Sequence, residues 1–173
     1  MHRKRVFDQG NKDPELAEKE IGEAEYDHEQ ASKSFDNEDY KWAIVKCYYS
    51  MFHAAKALLY ISGFIEKKHV AIIVVLEQLS KKGEIEERFV NDFKAAMSAR
   101  EDADYHYSYS KEIAETELSN CEDFLGMAKG FLERSWRVEM DFRLNLPYTN
   151  PYSTKTAVPP TPASDNPDSA GSP

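Results

Sequence analysis

The side chains best suited to chemistry lie in the segment Arg100-Glu-Asp-Ala-Asp104-Tyr105-His106. A histidine titrates near neutral pH and can act as a general acid or base, and an arginine can bind a phosphate through two parallel hydrogen bonds. Six helical residues would separate Arg100 from His106 by about 120° around the axis. The two side chains therefore converge only if the chain leaves the helix near Tyr105, or if a two-fold axis brings two copies together.

The same segment also has a purely structural interpretation. Arg100 lies within about 20° of Phe89 and Phe93 around a helix, so it belongs to an apolar stripe. A guanidinium on such a stripe needs a partner, because an unpaired charge is costly to desolvate. Asp104, one turn later, has the spacing of a helical ion pair. Spacing alone slightly favours an ion pair that closes the end of the helix.

Two further sets of residues are candidates for contacting RNA or a nucleotide. Tyr107 and Tyr109, which follow Tyr105, could stack on bases, although packing at the end of a helical bundle is the slightly favoured alternative. Lys67 and Lys68 lie in a short basic loop, where lysines are usually only solvated. These residues are therefore secondary candidates.

Histidines elsewhere raise the question of a metal. Glu25-x-x-His28 and Glu66-x-x-His69 match the local signature of di-iron helical bundles. The second motif lies in a loop, and acidic helices produce such matches by chance, so the sequence predicts neither a metal nor a cofactor. His53, in the most apolar segment, is expected to be a hydrogen-bonded core histidine.

The elements that carry these residues are predicted to be five helices. The first begins at Pro14 after a capping Asp13, and alanines repeat along one of its faces. The second is apolar nearly all round, so we expect it to be the central helix. The third contains a β-branched run that also suits a strand, but its charged last turn and Gly83 favour a helix. The last four helices are predicted over residues 40–62, 69–82, 84–105 and 110–142.

The composition limits the partners and the location that can be expected for the protein. The chain has 173 residues and a net charge of −9, which argues against general nucleic-acid binding and against DNA as a partner. Cys47 and Cys121 fall in apolar helical stretches and are expected to be reduced. With no signal peptide and no apolar membrane span, the protein is expected to be cytoplasmic.

The predicted domain organisation has three parts. Residues 1–13 are interpreted as a flexible N-terminal arm, and residues 14–144 as one all-α, up-and-down bundle of about five helices. Seven prolines and few large aliphatic residues follow, so residues 145–173 are expected to form a disordered, proline-rich tail.

The order of motifs along the chain resembles a known family. The motif Tyr48-Tyr-Ser-Met-Phe-His53-Ala-Ala-Lys56 in the second helix is followed by Gly63, His69 and Arg100-x-x-Ala-Asp104-Tyr105. This pattern, over roughly residues 15–135, is similar to the HEPN domain, and in particular to its stand-alone prokaryotic branch. The resemblance implies a helical bundle that forms a two-fold dimer.

The resemblance also implies an activity and partners. Many HEPN proteins are metal-independent endoribonucleases with an Arg-x4–6-His motif at the dimer interface, and Arg100-x5-His106 fits that motif. Arg100 would bind the phosphate, and His106 would assist proton transfer at the 2′-hydroxyl, with Asp104, Tyr105 and Glu101 in support. Many family members are toxins that a small nucleotidyltransferase-like antitoxin neutralises, which makes that antitoxin and single-stranded RNA the implied partners.

A non-catalytic HEPN dimer is the alternative that the sequence leaves open. Active members often carry Asn, Asp or His after the motif arginine, whereas this chain carries Glu101. Such a dimer would bind a nucleotide, or only its partner protein.

Overall fold

The computed structural model describes residues 7–9, 11–66 and 70–145, and in these ranges the chain forms five helices and one small ribbon of two strands. The bundle of five helices that the sequence predicts is confirmed. Lys67, Lys68, His69 and the predicted proline-rich tail after residue 145 lie outside the described residues. The elements are β1 (Phe7–Gln9), α1 (Pro14–Asp36), α2 (Tyr40–Ile61), β2 (Phe64–Glu66), α3 (Val70–Lys81), α4 (Glu87–Tyr105) and α5 (Lys111–Asn145).

Helices α1 and α2 form a tight antiparallel hairpin, and both begin at an aspartate cap. The Leu16 N–H donates to Asp13 Oδ1 at 2.9 Å, and the Trp42 N–H donates to Asp39 at 3.4 Å. Because these side chains satisfy N–H groups that lack a helical partner, they fix where each helix starts. The predicted start at Pro14 is confirmed.

Helix α2 is the centre of the bundle, as its nearly continuous apolar sequence predicts. It packs against α1, α4 and α5, and twelve of its residues are buried. Its contact with α1 is close because alanines at heptad spacing, Ala17, Ala24 and Ala31, are fully buried there. The Ser50 hydroxyl donates to the Ala24 carbonyl at 2.7 Å across the same contact. Small side chains thus let the two helices approach closely.

The β-branched segment that suits either a strand or a helix forms a helix, α3, as predicted. Residues 70–81 are helical, and the chain then turns at Gly83, whose φ is +73°. Helix α4 begins at Glu87, three residues later than predicted, because Glu86 still has extended backbone angles. Burial of Ile85 in the connecting segment shows that this loop contributes to the core.

A short strand lies in the range predicted as a flexible N-terminal arm, residues 1–13. Phe7–Gln9 pair antiparallel with Phe64–Glu66. Gly63 ends α2 with a φ of +76°, and the chain then continues extended, with Phe64 buried in the core. The backbone edge of β2 is therefore available for pairing with β1. The sequence did not predict these strands, because three residues are too few to show the alternation of side chains that is typical of a strand.

Polar groups also enter the core. Cys47 and Cys121 are buried and free, and the hydrogen bond between the two thiols, together with burial, raises the pKa of Cys47. Glu117 is buried as well, and its Oε2 has no hydrogen-bond partner among the described residues. Burial, with the nearby charge of Asp92, raises the pKa of Glu117 to about 7.

Among the described residues, no helix combines the length and the apolar character that crossing a membrane requires.

Candidate functional site

The candidate site is built where the last turns of α4 meet the first turns of α2. Arg100 is half-buried there, and its Nε lies 3.7 Å from Asp104 Oδ2. The ion pair that the four-residue spacing predicts is therefore present. Its distance is too long for a hydrogen bond, and the buried Nε has no hydrogen-bond partner in the described residues. Asp104 accordingly holds Arg100 only loosely.

A second cation reaches the same carboxylate from α2. Lys41 Nζ lies 3.8 Å from Asp104 Oδ1, so the carboxylate sits between Lys41 and Arg100 without a hydrogen bond to either. Two positive groups that converge on one anion form a site of the kind that binds a phosphate. The sequence analysis did not identify Lys41 as part of the site.

Aromatic side chains of α2 extend this cluster. The Arg100 guanidinium lies 5.4 Å from the ring of Tyr48, and Tyr48 is in edge contact with Tyr49, with ring centres 5.4 Å apart. Lys41 Nζ is 5.8 Å from the ring of Trp42. Trp42 and Tyr49 are 50% and 42% exposed, so they border the site on the surface.

These α2 residues share a signal that the sequence analysis did not use. Lys41 and Tyr48 are seven residues apart, as are Trp42 and Tyr49, so each pair lies on one face of the helix. In an apolar helix such spacing is usual for a buried stripe. The lysine at the start of this stripe is the distinguishing signal, because a buried stripe would not begin with one.

His106 lies directly after α4 and is held by a different carboxylate. Its Nδ1 is 2.9 Å from Asp102 Oδ1, and its backbone N–H donates to the Asp102 carbonyl. The Ser108 N–H donates to the same carbonyl, and Tyr107 has a φ of +53°, so the chain leaves the helix here. The imidazole is 71% exposed, and the contact with Asp102 leaves Nε2 available to a substrate.

The structure brings some of the predicted site residues together and leaves others apart. Arg100 and Asp104 meet, but no hydrogen bond or ion pair within the described chain joins Arg100 to His106. Glu101 is exposed on the outer side of α4. Arg100 and Lys41 thus share Asp104, whereas His106 contacts Asp102.

Tyr105, Tyr107 and Tyr109 are exposed, and the slightly favoured interpretation, that they pack the end of the bundle, is wrong. The apolar positions at that end are already taken by Ala103 and Ala114, both fully buried. The tyrosines instead add three aromatic rings to the surface beside the histidine.

His53 has a structural partner. Its Nδ1 lies 2.7 Å from Glu20 Oε2, and Glu20 also binds Lys56, so the expected hydrogen bond is confirmed, although the side chain is 25% exposed rather than in the core. Glu25 of the first Glu-x-x-His motif pairs with Lys129 of α5. In the described ranges, no three His, Cys, Asp or Glu side chains are close enough to hold a metal ion.

The chain is similar in sequence to known proteins. The HEPN domain family matches residues 17–135. The chain is 31% identical over 118 residues to a Methanocaldococcus jannaschii protein named "Putative toxin MJ0142", covering 66% of this chain and 80% of that protein. It is 29% identical over 117 residues to a UPF0332 protein of Archaeoglobus fulgidus, covering 66% of this chain and 94% of the relative.

Proposed function

Because the chain belongs to the HEPN domain family, we propose that it is a homodimeric, metal-independent endoribonuclease of the toxin type, with Arg100 and His106 as its catalytic residues. The observation that carries this proposal is the loosely held Asp104 between Arg100 and Lys41, close in sequence to an exposed histidine. The name of the M. jannaschii relative supports the toxin-like role.

The proposed reaction uses each group for one step. Arg100 and Lys41 bind the scissile phosphate, where they neutralise the charge that grows during attack. Nε2 of His106 takes the proton of the neighbouring 2′-hydroxyl, while Asp102 holds Nδ1. The 2′-oxygen forms a bond to phosphorus, and the bond to the 5′-oxygen breaks. The products are a 2′,3′-cyclic phosphate and a 5′-hydroxyl after that oxygen is protonated.

We propose that this chemistry uses two copies of the chain. Arg100 and His106 pair with different carboxylates, Asp104 and Asp102, and six helical residues would set them about 120° apart, so Arg100 of one copy is proposed to work with His106 of the other. The exposed rings of Trp42, Tyr49 and Tyr105 border the site, and aromatic side chains are enriched at subunit interfaces. A stable interface here buries more than about 1,000 Å² in total.

The proposal also defines the partners. RNA is the substrate rather than DNA, because the reaction consumes a 2′-hydroxyl. Exposed Tyr107 and Tyr109 are placed to stack on unpaired bases, which favours single-stranded RNA. A small nucleotidyltransferase-like antitoxin is the proposed neutralising partner, and the cytoplasm is the proposed location.

The experiment is cleavage of single-stranded RNA by the purified chain in the presence of EDTA. Activity should persist under chelation, because none of the proposed groups needs a metal. His106→Ala should lower the rate by about 10²–10⁴-fold, the usual cost of a lost general acid or base. His28→Ala, which removes a histidine from the middle of α1, is the matched control and should remain active. Activity that survives His106→Ala, or that disappears with EDTA, contradicts the mechanism.

A non-catalytic dimer is the second candidate, and the charges around the site favour it. Asp104 lies between Arg100 and Lys41, and Glu101 and Asp102 add two more negative charges to the same end of α4, so the field there repels a polyanion. A protein of this kind would bind a mononucleotide without cleaving RNA. Calorimetric titration with ATP and GMP, alongside the cleavage assay, distinguishes the two functions.

A further inference from the structure

A groove between α1 and α5 lies away from the candidate catalytic site. Its floor consists of Ile21 and Gly22 from α1 and of Leu132 and Trp136 from α5, and its volume is about 320 Å³. We call it the α1–α5 groove. The catalytic cluster is built by α2 and α4, so the groove and that cluster share no helix.

Gly22 leaves part of this groove open. A Cβ atom added at position 22 would meet no atom within 4 Å, so the fold itself does not require a glycine there. A glycine in the middle of a helix weakens that helix relative to alanine. The sequence therefore keeps an open space beside Trp136 at some cost to α1.

The rim of the groove is acidic. Three glutamates and one lysine, Glu18, Glu25, Glu133 and Lys129, give it a net charge of −2. Lys129 Nζ already contacts Glu25 at 2.5 Å. Glu18 and Glu133 form no ion pair in the part of the chain that the structure describes, so they remain available to a cation from outside.

We propose that the α1–α5 groove docks a basic amphipathic helix of a partner protein. An apolar side chain of that helix lies against Trp136 in the space over Gly22, and its lysines or arginines pair with Glu18 and Glu133. Helices with one apolar face bind grooves of this kind through anchors one turn apart. The acidic rim selects a basic partner through charge complementarity.

The same charges exclude other occupants. RNA is repelled, because its phosphates have the same sign as the rim. A second copy related by a two-fold axis would place the acidic rim against itself, and like charges opposed in this way are unfavourable. Docking in the groove also leaves Arg100 and His106 uncovered, so it does not depend on the proposed ribonuclease activity.

The test uses the full chain carrying Trp42→Phe, so that Trp136 is its only tryptophan. The probe is a synthetic peptide of about 15 residues with leucine along one helical face and lysine on both flanks. Binding should be one to one, with a Kd on the order of 10 μM, and should shift the Trp136 emission to shorter wavelength. A peptide in which glutamate replaces lysine, and a scrambled peptide, should not bind.

Gly22→Leu is the decisive variant, because the Cβ at position 22 meets no atom within 4 Å and the rest of the leucine side chain would occupy the groove. It should weaken peptide binding at least tenfold and raise the Tm by a few degrees, since leucine is the better helix former. Gly126→Leu is the matched control, because Gly126 also has open space around it but lies outside this groove, and it should bind the peptide normally.

Three results would overturn the proposal. The first is no binding of the basic peptide to the parent chain. The second is equal binding by the Gly22→Leu variant. The third is a larger assembly in light scattering that Gly22→Leu dissociates, which would identify a second copy of the chain as the occupant.

Discussion

Asp104 occupies the position at which a substrate phosphate would interact with Arg100 and Lys41. Its distances of 3.7 and 3.8 Å to the two cations are those of a weakly held counter-ion rather than of a hydrogen-bonded pair. Part of the Arg100 hydrogen-bonding capacity is therefore unused in the protein alone. A phosphodiester carries two acceptor oxygens of its own. It can accept hydrogen bonds from Arg100 by displacing the Asp104 carboxylate.

Asp104→Asn is expected to tighten RNA binding several-fold, because it removes the competing negative charge but keeps the size of the side chain. The measurement is the Kd for a 2′-deoxy oligonucleotide, which the proposed reaction cannot cleave. Glu101→Gln is the matched control, since it removes the same charge from an exposed position of the same helix. Weaker binding by Asp104→Asn, or an equal gain from Glu101→Gln, would show that Asp104 does not compete with the phosphate.

Glu117 presents a different problem at the residue scale, because its carboxylate lies in the core. Its surroundings disfavour the charged form, because burial removes the carboxylate from water and Asp92 of α4 adds a negative charge nearby. Burial is the larger cause of the raised pKa of about 7. The protonated acid is thus the form that suits the fold.

The stability of the protein should consequently fall as the pH rises. The pKa of Glu117 is about 7 in the folded state, against an ordinary value of 4.5, so the folded chain holds its proton more tightly than the unfolded chain. The contribution of the protonated Glu117 to the free energy of unfolding is fully present below about pH 4.5 and is lost between pH 4.5 and 7. Glu117→Gln should add on the order of 3 kcal/mol to the free energy of unfolding at pH 8, and little at pH 4.5.

Urea unfolding at the two pH values checks this expectation. Glu115→Gln, at an exposed position two residues earlier, should change neither value, because its charge is solvated in both states. An equal effect of Glu117→Gln at pH 4.5 and pH 8 would mean that the carboxylate is not protonated in the fold.

At the scale of elements, the helices could be predicted from the sequence because local signals mark them. Asp13 and Pro14 specify the start of α1, and apolar residues on all sides identify α2 as the central helix. The β1–β2 ribbon could not be predicted, because its pairing joins residues almost sixty positions apart through three-residue strands. Periodicity carries no information about such a contact.

The candidate site could be predicted only in the part that lies on one element. Helical spacing was enough to pair Arg100 with Asp104, whereas His106 was identified by its chemistry and by the resemblance to the HEPN domain. Lys41 and Tyr48 come from another helix, and their contact with Arg100 depends on how α2 crosses α4. Glu117 was missed because a glutamate on an apolar stripe is normally taken to be exposed.

The packing of α1 on α2 gives an element-scale prediction. Ala24 is fully buried at the contact, so Ala24→Leu should push the helices apart and destabilise the fold by about 1–3 kcal/mol. Gly22→Leu, two residues earlier on the open side of the same helix, should not destabilise it. Urea unfolding of both variants provides the measurement. An Ala24→Leu protein as stable as the parent would contradict the close α1–α2 packing.

At the scale of the whole molecule, the proposed function depends on assembly. In one chain Arg100 pairs with Asp104 and His106 pairs with Asp102, and the proposed mechanism combines these two parts from different copies. The exposed aromatic rings of Trp42, Tyr49 and Tyr105 lie beside these two parts. A dimer formed through this region would bury the rings and bring the two parts together in the same step.

Complementation between two inactive variants tests this arrangement directly. If each active site combines Arg100 of one copy with His106 of the other, a dimer of one Arg100→Ala chain and one His106→Ala chain retains one intact site. Random exchange of subunits makes half of the dimers mixed, so the mixture should recover about a quarter of the wild-type cleavage rate. Each variant alone should be inactive, and light scattering should give twice the 19.9 kDa of one chain for every sample. Dimers that exchange subunits, shown by energy transfer between labelled chains, without recovering activity would exclude a shared site. A monomer mass at micromolar concentration would exclude the dimer itself, because both halves of the site would then have to come from one chain.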